Sequence, residues 1–186
     1  MKALIVYESM YGNTRLIAER IADGLGAAFD TDVVPVAQAT PERVATADLL
    51  VVGGPTHVHG MSTARTRAAA VTAAAEPGAT IVCEADVADP GLRDWFDDLP
   101  AGGGRRAVAF DTRMKGPKSL TGHASKGITH RLRRHGFEVV TAPQSFIVSK
   151  DNQLSTEAAQ AATDWARRLA DLVESEEAAR RQGVVR

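Results

Sequence analysis

Six consecutive residues carry the strongest chemical signal in the sequence: Ser9, Met10, Tyr11, Gly12, Asn13 and Thr14. Four of them bring side-chain hydrogen-bond donors, and the glycine lets a ligand approach the backbone closely. The run stands between an apolar stretch, Ala3 to Tyr7, and a stretch in which Ile17, Ile21 and Leu25 recur at helical spacing. A loop that opens a helix in this way points the first free N–H groups, and about half a positive charge, at whatever fills it. That suits a phosphate monoester held without a lysine. An ordinary Asn or Thr helix cap in a polar turn uses the same residue types.

Other residues invite chemistry less strongly. His57 and His59 are two apart, so their imidazoles can share one face of an extended backbone. A metal needs at least a third ligand, and no cysteine or carboxylate stands nearby in sequence. We therefore read the pair as polar loop residues and assign no metal. Cys83 ends an apolar run and reads as a small hydrophobe rather than a redox thiol. Gly102, Gly103 and Gly104 have the look of a phosphate loop, but the chain contains no Gly-Lys pair, which excludes a P-loop. No dinucleotide fingerprint follows any strand, and no side chain is assigned as a catalytic acid or base. The charge is uneven: residues 84–104 hold six acids and one arginine, whereas residues 105–134 hold nine bases and only Asp111 as an acid. The basic stretch reads either as a solvated helix face or as a site for an anionic substrate, nicotinamide phosphates or an acidic partner.

The elements that must position these residues alternate. Ala3 to Tyr7 and Leu49 to Gly53 are continuous apolar runs, as expected of strands buried on both faces. Asp32 to Val36, Ala107 to Phe110 and Glu138 to Val148 read as further strands, the last bent or broken by Pro143. Thr80 to Cys83 looks strand-like but is short. Helices follow from Ile17 to Leu25, from Pro41 to Ala47 behind a Thr40 cap, from Ser62 to Ala75 and from Gly91 to Leu99. Two more are marked by Ala124, Ile128 and Leu132, and by Ala158, Ala162, Trp165, Leu169 and Leu172. Gly54 to Met61 and Asp111 to Gly122 read as loops. This alternation predicts an α/β three-layer sandwich around a five-stranded parallel sheet. The order 2-1-3-4-5 brings the loops after strands 1, 3 and 4 to one end.

A chain of 186 residues with 44% hydrophobic and 24% charged residues fits one globular domain. We place that domain at 1–172, with a charged tail, 173–186, that frays. A net charge of −1 argues against a general nucleic-acid binder. The single cysteine excludes a disulfide framework. The apolar start is too short for a signal peptide, and no stretch approaches the length of a membrane span, so the chain reads as cytoplasmic and without membrane insertion.

Ser9-Met10-Tyr11-Gly12-Asn13-Thr14 resembles the phosphate-binding loop of the flavodoxins, and its Ser-Met-Tyr-Gly core is closer to the flavodoxin-like NAD(P)H:quinone oxidoreductases. Gly53-Gly54-Pro55-Thr56 followed by Met61 resembles the flavin-ring loop of that second group. The resemblance in architecture spans about residues 1–172, and its motifs are specific in the first 61 residues. It implies a flavodoxin-like sandwich, non-covalent FMN and electron transfer. By position, Ser9, Met10, Tyr11, Gly12, Asn13 and Thr14 would bind the phosphate. Pro55, Thr56, His57, Val58, His59, Gly60 and Met61 would line the ring. Asp111, Thr112 and Arg113 stand where the quinone oxidoreductases carry a glycine-rich flavin motif, and complete the set.

The ring loops, 55–61 and 112–122, contain no Phe, Tyr or Trp, so the His57 or His59 imidazole or the Met61 thioether would take the place of a clasping ring. A carbonyl near Gly60 would meet N5 of the reduced flavin. Arg113, Lys115 and Lys118 would favour the anionic, fully reduced flavin and two-electron chemistry. The partner implied is a redox protein or a small acceptor such as a quinone, and a homo-oligomer is compatible with this. Two rival readings are an FMN-dependent NAD(P)H:quinone-type oxidoreductase and a flavodoxin-like domain that has lost flavin binding.

Overall fold

The computed structural model describes residues 1–57, 59–116, 122–149 and 152–183. Val58 and Lys118, both named above, lie outside the described residues. The strands are β1 (Lys2–Tyr7), β2 (Asp30–Pro35), β3 (Leu49–His57), β4 (Gly60–Met61), β5 (Arg106–Met114), β6 (Glu138–Val139) and β7 (Gln144–Val148). The helices are α1 (Asn13–Leu25), α2 (Pro41–Thr46), α3 (Ala64–Ala75), α4 (Leu92–Asp98), α5 (Ala124–Arg134) and α6 (Thr156–Arg181). The sheet runs β2-β1-β3-β5-β6, with β7 beside β5 and β4 antiparallel to β3. Every other pairing is parallel.

The apolar runs behave as central strands. Ile5 sits between Val33 and Val51, and both Ile5 and Val51 are fully buried. Side chains alternate between two cores, because successive residues of a strand point to opposite faces. Ile5, Val51 and Phe110 meet Ile17, Ile21 and Leu25 of α1 and Trp165 and Leu169 of α6 on one face. Leu4, Val6, Leu50 and Val52 meet Leu92 and Phe96 of α4 and Ile128 and Leu132 of α5 on the other. The helix stripes read from spacing therefore face the sheet. Thr40 caps α2, its hydroxyl accepting from the Arg43 N–H.

Several details depart from the expectations, whereas the break in the last strand at Pro143 agrees with them. The fourth parallel strand continues past Phe110 to Met114, so Asp111, Thr112 and Arg113 are strand residues. They pair with Ser145, Phe146 and Ile147 of β7, and Asp111 and Thr112 also pair with Gly54 and Pro55 of β3. Polar side chains suggested a loop, but a backbone paired on both sides is a strand whatever its side chains. The fifth strand is divided: β6 and β7 lie along the same side of β5, separated by a segment that contains Pro143. Residues 79–83 form no strand, and Val82 is 80% exposed. The tail placed at 173–186 is helical as far as Arg181. Val173 is fully buried, and Glu177 accepts from Arg106 at 3.1 Å while Arg180 reaches Glu138 at 2.9 Å. A charged surface read as fraying is here a helix face held by ion pairs.

Candidate functional site

The parallel order brings the C-terminal ends of β1, β3 and β5 side by side, and a cavity of about 350 Å³ opens there. Its floor is the loop between β1 and α1. Gly12 stands at the N-cap of α1 with φ +88°, a left-handed conformation that favours glycine. Its N–H donates to Ser9 Oγ at 3.1 Å, which closes the loop on itself. Among the described residues no side chain caps α1 or accepts from the N–H groups of its first turn. Ser9, Met10, Tyr11, Asn13 and Thr14 line the cavity; Gly12 shapes the turn without lining it.

Asn13 and Thr14 are held from other elements. Asn13 Nδ2 donates to the carbonyl and the Oδ1 of Asn152, at 3.0 and 2.8 Å. Thr14 Oγ1 lies 2.8 Å from Thr112 Oγ1. Glu84, which no local sequence pattern marks, also meets the loop. Its N–H donates to the Met10 carbonyl at 2.9 Å, and its Oε1 receives Arg15 Nε at 3.0 Å. A methyl group built on Gly12 would come within 3.1 Å of that oxygen. The acid is thus neutralised by Arg15 where it flanks the anion-favouring loop.

The walls come from β3, the turn after it, and β5. Pro55, Thr56, His57, His59, Thr112 and Arg113 line the cavity as read from sequence, together with Met114, Val148 and Asn152, which were not foreseen. Met114 was hidden because the strand runs further than its polarity suggests. Val148 and Asn152 lie after the fifth strand, where no motif marks them. Thr56 Oγ1 accepts the Ala124 N–H at 3.0 Å, joining the wall to the start of α5. Arg113 is 8% exposed, and its Nη1 reaches the Met114 and Gly116 carbonyls.

Gly60, Met61 and Asp111 are not brought to the cavity wall. β3 and β4 form a hairpin in which His57 faces Gly60 and Thr56 faces Met61. Met61 turns inward and packs in the α4–α5 core. Within the turn, the left-handed conformation falls on His59, φ +70°, rather than on Gly60. The backbone of His59 rests on Gly122, where a methyl group would lie 2.2 Å from His59 Cα and O. Asp111 is fully buried beneath the site, and its Oδ2 accepts the Ser125 N–H at 2.8 Å at the start of α5. Glu8 does the same for α4, accepting the Leu92 N–H at 2.8 Å and the Ser62 hydroxyl. Glu8, just after β1, and Asp111, within β5, therefore each accept an N–H at the start of a helix.

Among the described residues that line the walls, Arg113 carries a formal charge. Burial pushes the His57 imidazole below its ordinary value, opposed in part by Glu8. Burial also raises the Tyr11 phenol, helped by Cys83, so it remains a hydrogen-bond donor at neutral pH. The Cys83 thiol is raised by burial as well and is not an activated thiolate. His57 and His59 both line the cavity, and among the described residues no group of three or more metal-ligating side chains occurs.

A family model described as Flavodoxin matches residues 5–89, the stretch from β1 through the loop and the hairpin. The fold as a whole is similar to a flavodoxin from the domain Archaea, at 19% identity and a TM-score of 0.63, over 94% of this chain and 99% of that one. The fold is flavodoxin-like. Flavodoxin 1 from Bacillus cereus is similar at 18% identity and a TM-score of 0.62, over 94% of this chain and 98% of the other. A flavodoxin, WrbA-like protein from Agrobacterium tumefaciens is similar at 16% identity and a TM-score of 0.56, again over 94% and 98%. At these identities the likeness is one of fold. No curated protein matches the sequence. Within the described residues of this flavodoxin-like fold, no helix is long and apolar enough to cross a membrane.

Proposed function

We propose that this chain binds FMN non-covalently in the cavity and serves as an electron-transfer protein. One observation carries the reading: the uncapped N-terminus of α1, with Ser9, Asn13 and Thr14 around it, opens into the same cavity as the ends of β3 and β5. The residues fit the group. The loop suits a phosphate dianion, and a volume of about 350 Å³ lies within the usual range of ligand pockets. Thr56, His57, His59 and Met114 would border the ring, with Tyr11 near its phosphate side. Bound there, FMN would supply one- and two-electron redox chemistry, while the chain orients it and sets its electrostatic surroundings.

Arg113 favours a second reading, an FMN-dependent oxidoreductase acting on quinone-type acceptors. A cation on the wall stabilises negative charge accumulating beside it. The oxidation of NAD(P)H in the presence of a quinone separates that enzyme from a carrier.

The direct test replaces Asn13 and Thr14 together by leucine. FMN retention, read from visible absorbance and from flavin fluorescence quenching, should be abolished while circular dichroism stays unchanged. Unaltered FMN affinity in that variant would overturn the reading. Colourless wild-type protein that takes up no added FMN would overturn it as well, and would favour a domain that has lost the cofactor.

A further inference from the structure

The helix that forms the outer layer beside the hairpin has no acid of its own. α5 reads Ala-Ser-Lys-Gly-Ile-Thr-His-Arg-Leu-Arg-Arg, and its buried stripe is Ala124, Ile128 and Leu132. Lys126, His130, Arg133 and Arg134 are all exposed on the opposite side. From Lys126 to Arg134 the helix rises about 12 Å, a stripe longer than any single phosphate. The macrodipole accounts for the three arginines of the last turn. It does not account for Lys126, a cation in the first turn at the positive end.

Two guanidinium groups converge on the hairpin from separate helices. Arg93 at the start of α4 donates to the Ser62 carbonyl at 2.7 Å and to the Met61 carbonyl at 3.0 Å. Arg131 of α5 reaches the sulfur of the same Met61 at 3.8 Å. Like charges brought together are costly unless something compensates them. Asp97 is the acid that acts on Arg131, while burial, Arg93 and Arg134 all weigh against its charged form. Among the described residues no carboxylate oxygen comes within 4.0 Å of a nitrogen of Arg93, Lys126, Arg131, Arg133 or Arg134. On α1 and α6 the contrast is plain: Arg15, Arg20, Arg167 and Arg180 each hold an acid.

We propose that the outer face of α5, with Arg93, is the docking surface for an acidic partner protein. It rests on the electron-transfer reading for one point only, that the partner is a redox protein. The position fits that role. α5 packs on β3 and β5, whose ends wall the cavity, and on β4, so a partner seated on it lies beside the β3–β4 hairpin. An extended acidic surface matches a stripe of charges, whereas a single phosphate would engage one end. Exposed bases also steer an acidic protein towards this side in solution, most strongly at low ionic strength.

The test uses a fluorescein-labelled peptide of twenty glutamates and the full chain, read by anisotropy at low salt. Wild type should bind it. The variant Lys126→Gln/Arg133→Gln/Arg134→Gln changes only exposed side chains and should bind about tenfold more weakly. Arg167→Gln, on α6 across the sheet, should bind as wild type does. Absent binding by wild type, or equal binding by the triple variant, would overturn the surface. So would an adenosine bisphosphate that binds these residues more tightly than the peptide, which would mark a nucleotide site instead. Visible absorbance of the same samples keeps the two readings apart. A colourless protein that binds the peptide loses the flavin reading alone, and a yellow one that ignores the three bases loses the docking surface alone.

Discussion

The hydroxyls of Thr14 and Thr112 lie 2.8 Å apart in a buried contact, joining the first turn of α1 to the end of β5. Residues 98 apart in sequence thus share one hydrogen bond at the base of the cavity. Removing one partner leaves the other buried and unpaired. Thr112→Val should cost about 1–2 kcal/mol in urea unfolding. A double-mutant cycle with Thr14→Val should return a coupling of about 1 kcal/mol. Additive single effects would show that the two hydroxyls act independently.

Gly122 offers a sharper probe of the site. It takes φ +69°, and a methyl group there would collide with the His59 backbone. Gly122→Ala should push His59 off its seat and weaken FMN binding by more than about tenfold, a loss of over 1.4 kcal/mol. Gly103, also at positive φ but with no neighbour within 4 Å, is the control. Gly103→Ala should lower stability by about 1 kcal/mol and leave FMN affinity alone. Fluorescence quenching titrations on both variants decide the matter.

Leu25 closes the α1 stripe and is 1% exposed. Leu25→Ala leaves a cavity between α1 and the sheet and should cost about 2–5 kcal/mol. An unchanged denaturation midpoint would mean that this side chain does not pack there.

What sequence made legible was whatever pattern encodes locally. Ile17, Ile21 and Leu25 repeat at helical spacing, and Ala3 to Tyr7 has no polar face to expose, so their burial followed directly. The loop at Ser9–Thr14 could be read because strand, turn and helix are consecutive. Asp111 to Arg113 could not, since their strand character comes from neighbours in β3 and β7 that are distant in the chain. Asn152 and Glu84 were invisible for the same reason: each meets the loop only through tertiary folding. The Glu174–Arg181 segment looked solvated because ion-pair partners such as Arg106 and Glu138 lie elsewhere in sequence.

His57 should make stability depend on pH. Its folded pKa lies below its unfolded value near 6.5 because burial disfavours the imidazolium. As pH falls below about 6.5 the unfolded chain takes up a proton that the folded chain resists, so the contribution to stability declines. His57→Gln should remove that component. The difference in Tm between variant and wild type should therefore shift in favour of the variant between about pH 7 and pH 5. A constant difference across that range would place the imidazole in contact with water.

Arg113 and Lys115 should set the redox balance of the FMN-loaded protein. At an effective dielectric of ~20, one charge ~8 Å from the ring contributes about 2 kcal/mol before screening. For one electron that is on the order of 0.1 V. Cations favour the anionic, fully reduced flavin and so raise the second one-electron potential. Arg113→Gln/Lys115→Gln should lower it and widen the gap between the two potentials. A spectroelectrochemical titration that finds the gap unchanged would refute this.

The division of the fifth strand has a consequence for self-association. β6 and β7 form one margin of the sheet, and with the break that contains Pro143 the longest edge there among the described residues is the five residues of β7. At the other margin, β2 carries Asp30 and Asp32 and ends at Pro35. A growing aggregate needs a long, uncharged row of open N–H and C=O groups on which to add strands. Among the described residues neither margin supplies one, which disfavours edge-to-edge addition of strands.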